Sequence, residues 1–448
     1  MNRALINVIF AADSTGCIGV AGKLPWRSSE DLRRFKTLTL GGILIVGRKT
    51  YESMPSLPGR ELVVVSRSMN ILKGDPTICR SYEEAVDVSR RSNKTIFVIG
   101  GAQLYERAMQ TPEVIGDVHY SCIHGEFEGD TYFKLPPGLF RTVRVENYED
   151  HTYYLLKVDT NGESQYIRLL SSLVNKPDEM VEGRNGTTFQ NFGDTMLRFD
   201  LRDGFPLLTT KRMFFRGIVE ELLMFLRGET DTKQLEDKKI NIWKGNTCRS
   251  FLDSINKSSR REGVMGPMYG YQWRHFDAEY DEDTAQPISP GVDQLKRVVN
   301  QIINDPTSRR ILMTTFNPKQ VDDGVLPPCH SIVTQFHVQD SFLDLACYNR
   351  SQDVFLGMPF NIASSSLLLQ IVASLTGLTP RYFSLIGGCV HLYSTHVEAA
   401  RSQISRIPFS FPTLRMRRKD VDIDTLSAAD FVLEDYVHHP SIPVAMVS

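Results

Sequence analysis

The first part of the chain alternates short apolar runs with amphipathic stretches, and few architectures accept that alternation. Residues 5–12, 42–46, 62–66 and 95–99 are largely apolar and too short for buried helices, so they read as strands covered on both faces. Residues 28–38, 82–90 and 102–109 carry helical periodicity between them. Strands joined through helices run parallel. Residues 118–123, 141–148 and 152–158 then follow without an intervening helix, and their last two runs predict a hairpin. The expectation is a doubly wound α/β domain: a mostly parallel sheet with an antiparallel C-terminal hairpin.

At 448 residues the chain exceeds what one hydrophobic core usually supports. Turn formers cluster at Asp159-Thr160-Asn161-Gly162-Glu163, between a strand pattern and a helix pattern. The predicted division is a first domain over 1–158, a short linker at 159–163 and a second domain over 164–448. That second domain mixes helices at 164–174, 217–227 and 361–376 with a strand at 195–201, so it is α+β; 276–290, acidic and proline-bearing, reads as a surface loop.

Lys plus Arg (51) nearly balances Asp plus Glu (53), a net charge of −2 that leaves no electrostatic footprint for nucleic acid or an anionic membrane. The longest apolar segment, 367–375, is interrupted by Gln370 and falls short of a membrane span. Seven cysteines at irregular spacing, none as CxxC, suggest neither a disulfide framework nor a zinc site. No metal is expected. The N-terminus runs into a strand pattern without a leader-like segment, and a cytoplasmic location is expected.

Asp31 opens a helix in which Phe35 projects to the same side, which would aim a carboxylate into an apolar pocket; Glu30 and Asp31 also suit any helix N-terminus. Gly47-Arg48-Lys49-Thr50, Ser66-Arg67-Ser68 and Gly100-Gly101-Ala102 each follow a predicted strand, where backbone N–H groups can face a phosphate. Cys329, in Leu326-Pro327-Pro328-Cys329-His330, is a candidate thiolate with Arg350 as its activator; most single cysteines are inert and buried. Glu221 lies in a helix too apolar to hide a charge casually, and Glu220, about a quarter turn round, is expected to face solvent.

Leu24-Pro25-Trp26, Gly47-Arg48-Lys49-Thr50, Pro58-Gly59-Arg60 and Gly100-Gly101 resemble dihydrofolate reductases. Leu326 to His330, Arg350-Ser351-Gln352-Asp353 and Asn361 resemble thymidylate synthases. End to end, the chain resembles the bifunctional dihydrofolate reductase–thymidylate synthases.

For the first domain the resemblance implies NADPH-dependent reduction of dihydrofolate. Asp31 would bind the pterin with help from Ser121. Ala11, Ile18, Leu24, Phe35 and Met54 would form the ring slot, Arg60 would hold the substrate α-carboxylate, and Tyr105 would join the loops named above at the cofactor. Arg48 and Arg67 would pinch a 2′-phosphate, and the Gly100–Gly101 bond would be cis.

For the second, thymidylate-synthase-like domain it implies conversion of dUMP to dTMP with 5,10-methylenetetrahydrofolate, through addition of Cys329 to uracil C6. Arg184, Arg350, Ser351 and, from the other subunit of a homodimer, Arg309 and Arg310 would bind phosphate. Asn361 would read uracil, His391 and Tyr393 the ribose, Asp353 and Trp243 the folate; Glu221 and Tyr269 would move protons, and His330 would line the substrate site. Cys389, Asn246, Phe316 and the C-terminal stretch depart from the family pattern. Two other readings remain open: an active reductase with an impaired synthase, and a nucleotide- or RNA-binding regulatory protein.

Overall fold

The computed structural model describes residues 4–69, 76–159, 162–176, 180–183, 186–418 and 422–447. The chain divides into two compact units, Met1–Thr160 with Ile407–Phe409, and Asn161–Arg406 with Ser410–Ser448.

The first unit is built on an eight-stranded sheet. Its strands are β1 (Ile6–Asp13), β2 (Ile43–Gly47), β3 (Glu61–Val65), β4 (Thr77–Cys79), β5 (Ile96–Val98), β6 (Ile115–Ile123), β7 (Phe140–Asn147) and β8 (His151–Val158). They lie side by side in the order β4-β3-β2-β5-β1-β6-β8-β7. The six strands from β4 to β6 pair in parallel; β8 alone is reversed, antiparallel to both neighbours. Helices α1 (Ser29–Thr39), α2 (Arg48–Ser53), α3 (Tyr82–Ser89) and α4 (Ala102–Met109) join the strands. Leu44, Ile45 and Val98 are fully buried, which explains strands that lack alternation. The doubly wound α/β reading holds.

The second unit centres on a six-stranded sheet. Its strands are β9 (Met180–Gly183), β10 (Gly186–Asp200), β11 (Leu312–Thr314), β12 (Val333–Gln339), β13 (Phe342–Asp353) and β14 (Thr379–Tyr393), ordered β9-β10-β14-β13-β12-β11. Around it pack α5 (Glu163–Val174), α6 (Phe215–Leu226), α7 (Gln294–Asn304), α8 (Gly357–Thr376) and α9 (Val397–Ile404), which contribute a large share of the larger core. Helix α8 is long and apolar enough, by length and composition, to cross a membrane, more than the run 367–375 suggested. Most of it is buried in this core. Residues 276–290 are not a plain loop: Tyr280–Asp281 pairs with Gln286–Pro287, and Thr230 anchors the Tyr280 hydroxyl at 2.7 Å.

Candidate active sites

In the first unit, the Ser28 side chain caps α1 by accepting from the Asp31 N–H at 3.2 Å. Ser121, opposite Ala11 across the β1/β6 pairing, donates its hydroxyl to Asp31 Oδ1 at 2.5 Å. At the other end of α1, Arg60 donates through Nε to Thr39 Oγ1 (2.9 Å) and through Nη2 to the Lys36 carbonyl (3.2 Å). Its guanidinium carbon lies 5.8 Å from the Phe35 ring centroid. Asp31, Phe35 and Thr39 recur every four residues on one helix face, so acid and arginine stand about 12 Å apart along the axis, from the rise per residue. That spacing suits an elongated substrate with a donor-rich ring at one end and a carboxylate at the other. Ile18 and Met54 are half-buried; Leu24 is exposed at 50% and can close the slot only from its rim.

The glycine loops converge. Gly47 N–H donates to the Gly100 carbonyl at 2.8 Å, and the Gly100–Gly101 bond is cis. A Cβ on Gly101 would approach Thr50 Oγ1 to 3.2 Å; one on Gly100, at φ +122°, would approach the Tyr105 hydroxyl to 3.1 Å. Tyr105 itself donates to the Ile9 carbonyl. No side chain caps α4, leaving first-turn N–H groups beside Ala102 to meet an anion. These open cradles and the nearby cations fit a dinucleotide phosphate. Arg48 is ion-paired with Glu52 at 3.0 Å, and Lys49, Arg67 and Ser68 are exposed. Arg80, which sequence reasoning passed over, spans this loop by donating to the Ser66 and Met69 carbonyls at 3.0 and 2.9 Å. Its position after β4, at the C-terminal end of a parallel strand, was the available signal.

In the second unit, Cys329 Sγ lies 3.4 Å from the Tyr269 hydroxyl, which also accepts from the Cys329 N–H at 3.2 Å. Tyr269 stacks on Phe225 and on His330, with centroids 5.2 and 4.4 Å apart. Only glycine can follow it, because a Cβ on Gly270 would come within 2.3 Å of the Phe225 carbonyl oxygen. Arg350 donates to the Pro328 and Pro327 carbonyls at 2.7 and 3.0 Å, so the Pro-Pro turn fixes its guanidinium beside the thiol. Burial nonetheless pushes the Cys329 thiol up; the Tyr269 hydrogen bond and the Arg350 charge oppose that without overcoming it. Arg350 thus acts on the thiol in the activating direction, and burial outweighs it. Burial pulls His330 down to about 4, so its ring is neutral at pH 7.

Glu221 accepts from Trp243 Nε1 at 2.8 Å. Burial drives its carboxyl up to about 7, the indole N–H pulling the other way. Glu220 does not face solvent as expected: it is buried and paired with Lys238 at 2.7 Å. Nine of the twelve α6 residues are buried, so that helix has no wide solvent side.

Ser351 pairs in register with Cys389, and Asp353 with His391. Asp353 Oδ1 accepts the Phe355 and Leu356 N–H groups at 2.8 and 3.2 Å, turning the chain into α8, whose first turns carry half-buried Asn361. Ser351 N–H reaches the Cys329 carbonyl at 3.3 Å. Tyr393 meets His391 edge to face at 5.2 Å. Arg309 and Arg310 are exposed just before edge strand β11, and no described contact joins their side chains to Cys329. Arg184 lies outside the described residues. Lys211, not anticipated, is buried with Nζ donating to the Phe355 carbonyl at 2.5 Å, and burial lowers it to about 7. Among the departures, Cys389 Sγ faces Gln190 Oε1 at 3.4 Å, Asn246 is buried, Phe316 is half-buried, and the Ala445 carbonyl bonds His396 at 2.9 Å.

A family model described as dihydrofolate reductase matches residues 5–159, and one described as thymidylate synthase matches 164–448. The chain is 39% identical to the bifunctional dihydrofolate reductase-thymidylate synthase of Paramecium tetraurelia, covering 98% of each protein. It is 37% identical to that of Zea mays (98% of this chain, 96% of that protein) and 36% identical to that of Leishmania major (98% and 94%). The chain belongs to the bifunctional dihydrofolate reductase–thymidylate synthase family.

Proposed function

We propose that the two sites carry out consecutive reactions: methylation of dUMP to dTMP in the second unit, and reduction of the dihydrofolate so produced in the first. The observation that carries this reading is the joint presence of the Asp31–Ser121 pair and the Cys329–Tyr269–Arg350 cluster in one chain. Neither of the alternative readings draws support from near-balanced charge and two intact constellations.

In the reductase, NADPH supplies a hydride. Asp31 accepts two N–H donors from one edge of the pterin, a match of two oxygens to two parallel donors. Ser121 holds one carboxylate oxygen, so the acid cannot rotate away. Arg60 takes the α-carboxylate at the far end of α1, and backbone N–H groups at Gly101 and Ala102, with Arg48, Lys49 and Arg67, hold phosphates.

In the synthase, methylenetetrahydrofolate supplies the one-carbon unit and the reducing hydride. Cys329 adds to uracil C6, which moves electron density to C5. The thiol proton must leave first, since burial favours the neutral form. Glu221, poised near neutrality, can accept and return a proton around C4; Tyr269, kept neutral by burial, sits beside the sulfur where its hydroxyl can orient the group that takes the C5 proton. Asn361 both donates and accepts at the uracil amide. Arg184, Arg350 and Ser351 bind phosphate; His391 and Tyr393 contact the ribose; Asp353 and Trp243 contact the folate.

A homodimer through the synthase unit is supported by its sheet. Met196, Ile386, Tyr348 and Val333 are successive cross-strand neighbours on β10, β14, β13 and β12, and all four are exposed. An apolar row across four strands favours burial against a second copy, and the partner's Arg309 and Arg310 would complete the phosphate site. Met196→Lys with Ile386→Lys should yield monomers in sedimentation and lose synthase turnover. The reduced thiol needed at Cys329 favours a cytoplasmic setting.

The test is a coupled assay on the full chain with dUMP, methylenetetrahydrofolate and NADPH. Dihydrofolate formation dependent on dUMP, followed by NADPH oxidation, is expected. Absence of both signals, with NADPH oxidation restored by added dihydrofolate, would leave only the impaired-synthase alternative.

A further inference from the structure

We propose that Arg34 is a positioning residue for dihydrofolate reduction, fixing the rotation of α1 so that Asp31 and Ser121 stay in register; this rests on the assignment of Asp31 above. Arg34 stands three residues after Asp31 on that helix, and its side chain is 15% exposed. Its guanidinium carbon lies 3.9 Å from the Tyr153 ring centroid and 4.7 Å from that of Tyr148. Nη2 donates to Glu146 Oε2 at 2.8 Å and to the Tyr148 hydroxyl at 2.5 Å, while Nη1 meets His151 Nε2 at 3.1 Å.

A guanidinium only donates, so His151 Nε2 accepts and the ring proton sits on Nδ1. That Nδ1 donates to Asp150 Oδ1 at 2.7 Å. Ser28 also helps hold the Asp150 carboxyl below its ordinary range, and its side-chain oxygen accepts the Asp31 N–H. The arm from Arg34 through His151 and Asp150 thus leads to the neighbourhood of Ser28, the cap on Asp31's own amide. Its other arm ends at the second partner of the acid: Tyr153 pairs directly opposite Ser121, and its hydroxyl bonds His119 Nδ1 at 2.8 Å. An ion pair serving stability alone has no need to terminate on both groups that set the acid's geometry. A substrate clamp displaced by about 1 Å can lose about a hundredfold in rate.

The experiment uses full-length Arg34→Met, Arg34→Lys and Asp31→Asn chains. Single-turnover hydride transfer is normalised to reductase sites counted by tight-binding antifolate titration, with synthase turnover of the same samples as the control for chain integrity. We expect Arg34→Met to lose about tenfold or more per site with synthase turnover unchanged. Arg34→Lys should not restore it, since an ammonium cannot bridge Glu146, Tyr148 and His151 in one plane between two rings. Adding Ser121→Ala to Arg34→Met should cost less than the product of the single losses, because both act on one contact. A merely stabilising arginine would lower the melting temperature and the number of titratable sites, leaving the rate per site intact. Rates per site within twofold of the parent, rescue by lysine, or multiplicative losses would overturn the proposal. An undiminished Asp31→Asn chain would instead sink the assignment of the acid.

Discussion

Asp31 and Glu221, the carboxylates assigned to the two reactions, are held in opposite ways. Asp31 lies in the first turn of α1, half-exposed, with a hydroxyl donor at 2.5 Å and the positive end of a helix behind it. Glu221 lies mid-helix, in a segment enclosed on nearly every side, with one indole donor and a carboxyl pushed up to about 7. The first arrangement suits a carboxylate that binds N–H-rich edges. The second favours a group that gains and loses a proton near neutrality. One chain thus contains a carboxylate suited to binding and one suited to proton traffic, and the difference lies in what surrounds each group.

The harshest way to separate the two units is Cys329→Ser. It should lower dTMP formation by at least about 10⁴-fold, the scale of losing a covalent nucleophile, while dihydrofolate reduction assayed alone keeps its rate. Asp31→Asn should do the reverse, cutting reductase kcat/KM by about 10²- to 10³-fold with synthase turnover intact. Loss of both activities in either variant would mean the sites are not independent.

Glu221→Gln should lower synthase kcat by about a hundredfold and flatten the limb of the pH–rate profile near 7. It also carries a stability signature. The folded-state pKa of about 7 lies above the ordinary 4.5, so this group's contribution is most favourable below 4.5 and is lost as pH rises through about 7. The variant's melting temperature relative to the parent should therefore improve from pH 5 to pH 8. A constant difference would show that Glu221 is solvated. The gentlest change, Ser121→Ala, removes one hydrogen bond to a charged group, worth about 1.5–3 kcal/mol. Reductase kcat/KM should fall about tenfold or somewhat more, measured against unchanged NADPH binding.

The reductase-like sheet was legible because parallel strands must be apolar on both faces, so runs such as 42–46 announce themselves. The nearness of Cys329 and Arg350 was legible from motif chemistry. Burial around them was not. Glu220 read as the solvent-facing member of its pair because periodicity assigns a side to each residue, yet Glu220 is the one buried, against Lys238, while Glu221 is only half-buried. Arg350 read as an activator because charge is visible in a sequence; the desolvation that outweighs it is not. Arg34, Arg80 and Lys211 gave no motif at all, since each matters through carbonyls and rings supplied by distant segments.

What the linear chain determined by itself is local: where strands and helices form, which loops carry glycine and arginine, and which thiol and acids are available. Periodicity and turn chemistry act between near neighbours, so they survive translation into sequence. The tertiary structure alone decided protonation and orientation: a thiol held neutral, a glutamate near its titration point, an arginine locked between two tyrosines. Those properties depend on dielectric and on partners far apart in the chain, and only a packed fold brings them together.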